Sequence, residues 1–183
     1  AQRGGVAPEA GGFASVIALD LVRTAALIDL DEVSLVATLG AGTTGPQAEE
    51  LLQARGFTLG HYPQSFEFAT IGGYAATRSS GQASRGYGRF DDLVHALRVA
   101  TPAGALDLGR APASAAGPDL RQLFLGSEGA LGVLTEVTVR IKPLPAATEY
   151  GAWTFPNFTA GAAAFRELTQ RGIRPTVLRL SDK

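Results

Sequence analysis

Residues 61–88, HYPQSFEFATIGGYAATRSSGQASRGYG, hold the side chains best suited to chemistry. Gly72 and Gly73 remove Cβ atoms where a backbone must come close to something flat or charged. Thr70, Thr77, Ser79 and Ser80 add hydroxyls and amides that can meet an anion, and Arg78 adds a guanidinium. Such a set suits a phosphorylated cofactor. The same composition also fits a Gly/Ser-rich surface turn, because a glycine pair is a weak signal. The stretch has neither a 3.6-residue nor a two-residue apolar period, so it reads as ordered loop, anchored by Phe66, Phe68, Ile71, Tyr74 and Tyr87. A second glycine-rich run, GSEGALG at 126–132, leads directly into an alternating apolar segment.

Composition narrows the function classes. The 183 residues carry 16 Lys and Arg against 17 Asp and Glu, a net charge of -1, and the basic residues are scattered. A nucleic-acid surface needs a clustered basic excess, so nucleic acid is not an expected partner. With no cysteine and two histidines, disulfides and thiolate metal sites are excluded, and no metal site is expected. No run is long and apolar enough to span a membrane. The sequence has no Met and starts AQRGG in mid-flow, which predicts a fragment. High Ala and Arg over Lys point to a high-GC bacterial, cytoplasmic source.

Around the central stretch the elements read as follows. Residues 1–14 are a Gly/Ala-rich loop, and Ser15–Leu19 is a short strand. Ala25–Asp29 and Ser34–Leu39 form a hairpin about the turn Asp29–Glu32. A helix starts at Thr44 or Gly45, with Pro46 at its first position, and stops at Gly56. Leu93–Thr101 and Ala105–Leu108 form a second hairpin around Pro102-Ala103-Gly104, with Leu93, His95, Leu97 and Val99 on one face. His95 reads as a half-buried strand residue. Pro118–Leu125 is a short helix. In the strand that follows, Val133, Thr135, Val137, Val139 and Ile141 alternate with Leu134, Glu136, Thr138, Arg140 and Lys142, up to Pro143-Leu144-Pro145. The pattern then restarts as strand (Ala152–Phe155), helix (Thr159–Arg171) and strand (Thr176–Leu180), a β-α-β unit that cannot bury both faces by itself.

PQSFEFATIGG, TRSSG with YG downstream, GPDL, GSEGALGVLTE, FPNF and VLRLSD together resemble the FAD-linked oxidases of the vanillyl-alcohol oxidase type. Within that family the likeness is greatest to the alkyldihydroxyacetonephosphate synthase branch. The D-lactate dehydrogenase branch shares T-I-G-G and G-S-E-G-x-L-G, but resembles Asn-Ala-Gly-Gly where this chain has Thr77-Arg78-Ser79-Ser80-Gly81. The resemblance implies an α+β fold: the second subdomain of a PCMH-type FAD-binding domain over 1–145, mostly antiparallel sheet with flanking helices, and the start of a substrate or cap domain over 146–183.

It also implies the cofactor FAD, held by Gln64, Ser65, Phe66, Glu67, Phe68, Ala69 and Thr70, by Thr77, Arg78, Ser79 and Ser80, and by Glu128, Gly129, Ala130, Leu131, Gly132, Val133 and Leu134. Arg179 is implied as a catalytic-pocket residue that grips a substrate phosphate or carboxylate. Each charged residue has a second reading: Arg78 as the partner of Asp91 or Asp92, Glu128 as a structural carboxylate on nearby amides, Arg179 as an exposed strand residue. His61 and Trp153 read as structural. The implied activity is acyl-to-alkyl exchange on a glycerone-phosphate substrate through a flavin adduct, with FAD-linked oxidation of a 2-hydroxy acid or alcohol as the alternative. In the family an upstream glycine-rich pyrophosphate loop falls before Ala1, and a catalytic Tyr and a His-rich segment fall beyond Lys183. The 183 residues alone are therefore expected to be inactive, with an exposed docking face that favours a homodimer.

Overall fold

The computed structural model describes residues 17–109, 111 and 114–182. The first hairpin joins β1 (Leu27–Asp31) to β2 (Val36–Gly40), pairing Asp31 with Val36 and Leu27 with Leu39. Asp31 closes its turn by accepting the amides of Val33 and Ser34, each at 2.9 Å, with Leu35 in the left-handed region at φ 55°. The turn therefore sits a few residues later than the sequence pattern predicts.

Thr44 then caps α1 (Gly45–Gln53) in a capping box with Gln47, and Pro46 lies in the first turn. After Gly56 (φ 82°), β3 (Phe57–Thr58) leads into the central stretch. That stretch is not loop throughout. It contains α2 (Ile71–Ala76) and α3 (Ser84–Tyr87), followed at once by α4 (Phe90–Leu93). Phe68 is 78 % exposed and so is no anchor, whereas Ile71, Tyr74 and Ala75 are buried.

The second hairpin, β4 (Val94–Thr101) and β5 (Gly104–Leu108), turns where the sequence places it. The helix expected at 118–125 shortens to α5 (Arg121–Phe124). Next come β6 (Val133–Arg140) and β7 (Lys142–Pro143), which pairs with β3. The main sheet is antiparallel throughout, in the order β1-β2-β6-β4-β5. Helix α2 packs against β6 and β2. Between them Leu39, Ile71, Tyr74, Ala75, Val99, Val137 and Val139 are almost wholly excluded from solvent.

Three expectations need correction. The strict alternation of β6 breaks, because Arg98 faces Glu136 while Val99 faces Leu134. Thr135 is the extra residue of this bulge, so burial passes from Val137 to Leu134 instead of Val133. Residues 17–19 are not strand, and the rest of that expected element lies with residues 1–16, outside those described. The C-terminal helix forms as α6 (Phe158–Gln170), capped by Asn157 on the Ala160 amide, but 152–155 and 176–180 form no strand. A strand exists only with a hydrogen-bonded neighbour, and none faces these segments among the described residues.

Candidate FAD site

The three segments singled out in the sequence converge on the two ends of α2. At its start, Thr70 accepts the Gly73 amide at 3.2 Å, and the Ile71 and Gly72 amides donate to Thr43 O (2.8 Å) and Ala41 O (2.9 Å). Gly72 makes that approach possible, since a Cβ there would sit 2.8 Å from the Ala41 Cβ. The stretch 64–70 is drawn in by Gly45 N on Ala69 O (3.2 Å) and by the Tyr74 hydroxyl on Phe66 O (3.3 Å). At the other end of α2, Ala75 O and Ala76 O accept the amides of Gly126 (3.1 Å) and Glu128 (3.0 Å). GSEGALG is thereby bonded to the tail of TIGG, although about fifty positions separate the two in the chain.

Arg78 ties the same knot. It adopts φ 48° and spends its guanidinium on protein acceptors: Asp91 Oδ2 (2.8 Å), Leu125 O (3.1 Å), Gln122 Oε1 (2.9 Å) and Gln122 O (3.3 Å). Of its two sequence readings, this is the pairing with Asp91; Asp92 instead accepts the Arg89 amide at 3.0 Å. Ser79 is pinned on both sides, its amide on Tyr74 O and its carbonyl under the Phe90 amide, each at 2.9 Å. Thr77 donates its hydroxyl to Gly73 O at 2.9 Å. Ser65 and Phe66 are half-buried, whereas Gln64, Glu67 and Ser80 stand exposed on the rim. Ala69 is buried beneath it.

The turn 126–132 is mostly open to solvent. Gly126, Glu128 and Gly129 are all left-handed, at φ 78°, 51° and 86°. At Gly129 a Cβ would meet nothing within 4 Å, while at Gly132 it would press to 2.8 Å of Ala100 O. Glu128 and Ala130 are exposed, Leu131 is 49 % exposed, and Val133 and Leu134 continue into β6 beside Val99 and Ala100. The amides of 71–74 and 77–79, expected from the sequence to meet an anion, are instead spent on protein acceptors, so this edge offers the hydroxyls of Thr70, Ser79 and Ser80 and the exposed apolar faces of Phe68 and Leu131. It fits a ligand that joins flat aromatic rings through an anionic linker, as FAD does.

Arg179 is exposed in the segment after α6, and among the described residues no hydrogen bond or ion pair joins it to the candidate flavin segments. A shallow depression lined by Arg85, Phe165, Arg166, Thr169, Gln170 and Leu178 lies near that segment and includes none of the candidate flavin residues. Trp153 is 78 % exposed.

The motifs do not reveal Glu49. It is buried on the inner face of α1, where it accepts from Thr58 Oγ1 (2.8 Å), Gln53 Nε2 (3.1 Å) and the amides of Leu59 (3.2 Å) and Gly60 (3.0 Å). These bonds fix the entry to the central stretch. The available signal is its place three residues before Leu52 and four after Gly45, on the apolar face of the helix. His61 follows, buried between Tyr74 and Phe90 at ring-centroid distances of 4.9 and 5.1 Å. Burial lowers its pKa to about 4. Burial, with Arg121 and Arg140 nearby, also lowers that of the half-buried His95. Burial pushes the Tyr74 phenol up.

Comparison with known families agrees with this geometry. The family described as FAD binding domain matches residues 3–108. The chain belongs to that family. A second family, FAD linked oxidases, C-terminal domain, matches residues 144–183. The chain is 40% identical over 169 residues to alkyldihydroxyacetonephosphate synthase of Caenorhabditis elegans, covering 92% of this chain and 28% of that protein. It is 32% identical over 171 residues to the mitochondrial D-lactate dehydrogenase [cytochrome] of Arabidopsis thaliana, covering 91% of this chain and 29% of that protein. A solved structure of alkyldihydroxyacetonephosphate synthase, in space group P212121, superposes with a TM-score of 0.79 at 36% identity, over 86% of this chain and 28% of that one. The chain thus spans less than a third of the length of these relatives. No helix among the described residues is long and apolar enough to cross a membrane.

Proposed function

We propose that this chain forms one wall of the FAD site of an enzyme resembling alkyldihydroxyacetonephosphate synthase. On this reading residues 1–145 belong to the FAD-binding domain and 146–183 open the substrate domain. Gln64 to Thr70, Thr77 to Ser80 and Glu128 to Leu134 hold the cofactor. The observation that carries the reading is the pair of bonds from Gly126 and Glu128 to the tail of α2, which brings the glycine-rich segments into one edge.

When bound, FAD supplies an electrophilic ring system able to accept an electron pair from a substrate carbon. The chain's part is to bind and orient. The hydroxyls of Thr70, Ser79 and Ser80 meet phosphate oxygens, the left-handed turn at Glu128-Gly129 lets backbone approach the cofactor, and Phe68 and Leu131 cover apolar surface. Arg179 grips the phosphate or carboxylate of the substrate through its planar fork. The substrate is an acyl-glycerone phosphate, and the reaction exchanges its acyl group for an alkyl group with no net redox change.

The second reading, oxidation of a 2-hydroxy acid or alcohol, is favoured by the similarity to D-lactate dehydrogenase. One assay separates the two: the exchange reaction leaves an added electron-accepting dye untouched, whereas the oxidation bleaches it. Titration with FAD, followed by quenching of flavin fluorescence, tests the binding wall directly, and unchanged fluorescence would count against it. The 183-residue chain alone is expected to turn over neither substrate. In an active enzyme that contains it, R179K is expected to raise KM about tenfold through loss of the bidentate grip. An unchanged KM would remove Arg179 from the site.

A further inference from the structure

We propose that His61 is a positioning residue for the cofactor wall: its Nε2–H donates to Ser79 Oγ, which leaves the Ser79 hydroxyl hydrogen to donate to an oxygen of FAD. The inference rests on the FAD reading above.

His61 is 2 % exposed, and its two ring nitrogens differ sharply. Nε2 lies 3.0 Å from Ser79 Oγ. Nδ1 is fully buried and has no hydrogen-bond partner among the described residues. Burial keeps the ring neutral around neutral pH, so it carries a single N–H, and that hydrogen sits on one nitrogen or the other. If it sat on Nδ1, a strong donor would be orphaned. The ring's aromatic neighbours, Tyr74 and Phe90, offer at best a weak N–H to π contact. A buried N–H without an acceptor is rarer and costlier than an under-satisfied acceptor. The hydrogen therefore belongs on Nε2, where an oxygen is in reach.

That choice decides what Ser79 can do. A hydroxyl has one hydrogen and two lone pairs, and here a lone pair receives His61. The other tautomer would consume the hydroxyl hydrogen on Nε2 and leave Ser79 able only to accept. Ser79 cannot escape by moving, since its amide and carbonyl are held by Tyr74 O and the Phe90 amide. Its neighbour Arg78 is locked in the left-handed region by its own bonds. With the backbone held and Oγ on His61 Nε2, His61 sets the hydroxyl torsion. Ser79 is half-buried and its neighbour Ser80 exposed, so Ser79 stands between the buried ring and the rim. An outward donor there suits a phosphate or carbonyl oxygen.

The first measurement is a long-range proton-nitrogen correlation spectrum of the chain without FAD. The expected pattern is a protonated, pyrrole-type Nε2 and a pyridine-type Nδ1, and the reverse pattern overturns the proposal. The second is FAD titration of variants, with urea unfolding of each in parallel. H61L and S79A are each expected to weaken FAD about tenfold, the worth of one hydrogen bond to a charged group. The double variant should lose no more than either alone. H61Q, whose amide nitrogen reaches the place of Nε2, should stay within about threefold of the parent, because it keeps the donor. Additive losses, or a loss in H61Q equal to that in H61L, would mean that His61 only fills space. If the parent chain takes up no FAD, the reading beneath falls, while the spectrum still decides the His61 geometry on its own.

Discussion

At the scale of single residues, the sequence marks chemistry through side-chain type, while the structure assigns it through partners. His61 reads from sequence as structural, and its burial gives that role a pH signature. Its pKa falls from the ordinary 6.5 to about 4, so the folded protein refuses a proton that the unfolded chain accepts. Above pH 6.5 the ring is neutral in both states and its contribution to stability is complete. As pH drops from 6.5 towards 4, the unfolded state gains the proton and stability declines, by at most about 3 kcal/mol in all. His95 leans the same way. The carboxylates with lowered pKa, half-buried Asp31 and exposed Asp119, lose their contributions as pH falls through the ordinary carboxylate value and below, mostly beyond this window. Urea midpoints should therefore fall between pH 7 and pH 5 in the parent and fall less in H61Q. Equal slopes in the two proteins would show that His61 titrates normally. Glu49 and Arg78 mark the limit of residue types as a guide: an acid and a base in polar-looking stretches turn out to be joints, Glu49 holding the segment just after its helix and Arg78 reaching 122–125, far along the chain.

At the scale of elements, what was legible is what is local. Helix α1 is written in Thr44, Pro46 and Gly56, and the two hairpins in alternating segments around short turns, so their positions follow from the chain within a few residues. Helix α2 is not local. Six residues with two glycines have poor helix propensity and no amphipathic period, yet they form a helix because Thr70 caps it and the carbonyls of Ala41 and Thr43 receive its first amides. The bulge at Thr135 is hidden for the same reason, since it is set by the register against β4. Gly72→Ala tests this view of α2. Alanine raises helix propensity by about 1 kcal/mol. Its methyl would meet the Ala41 Cβ at 2.8 Å and the Ala41 carbonyl oxygen at 3.0 Å, neither of which can rotate away. Crowding wins, with an expected net loss of about 1–2 kcal/mol in urea unfolding and a weaker FAD titration. A stabilised variant would mean that α2 can lift from the sheet without cost.

At the scale of the whole molecule, the family was legible through the joint resemblance of separated motifs, while the way the C-terminal segment meets the rest was not. Motif spacing says nothing about packing between elements that the chain does not join. Helix α3 makes that meeting. On one side Lys142 lies 4.5 Å above the Tyr87 ring and donates to Gly86 O at 3.3 Å. On the other, Arg85 donates to Thr169 Oγ1 (3.0 Å) and Ile173 O (3.4 Å), at the end of α6 and just beyond it. Gly86 sits at the contact, and a Cβ there would be 2.7 Å from the Thr176 Cα, three residues before Arg179. Gly86→Ala must therefore push the segment at Thr176 away, because the atom it meets is backbone. The sheet lies elsewhere and keeps its own core, so the main unfolding transition should move by no more than about 0.5 kcal/mol. Local opening of 171–182 should increase, read as faster amide exchange and earlier protease cutting there. Protection of 171–182 equal to the parent's would show that this segment is held by something other than its seat on α3, and the position of Arg179 would then have to be explained without it.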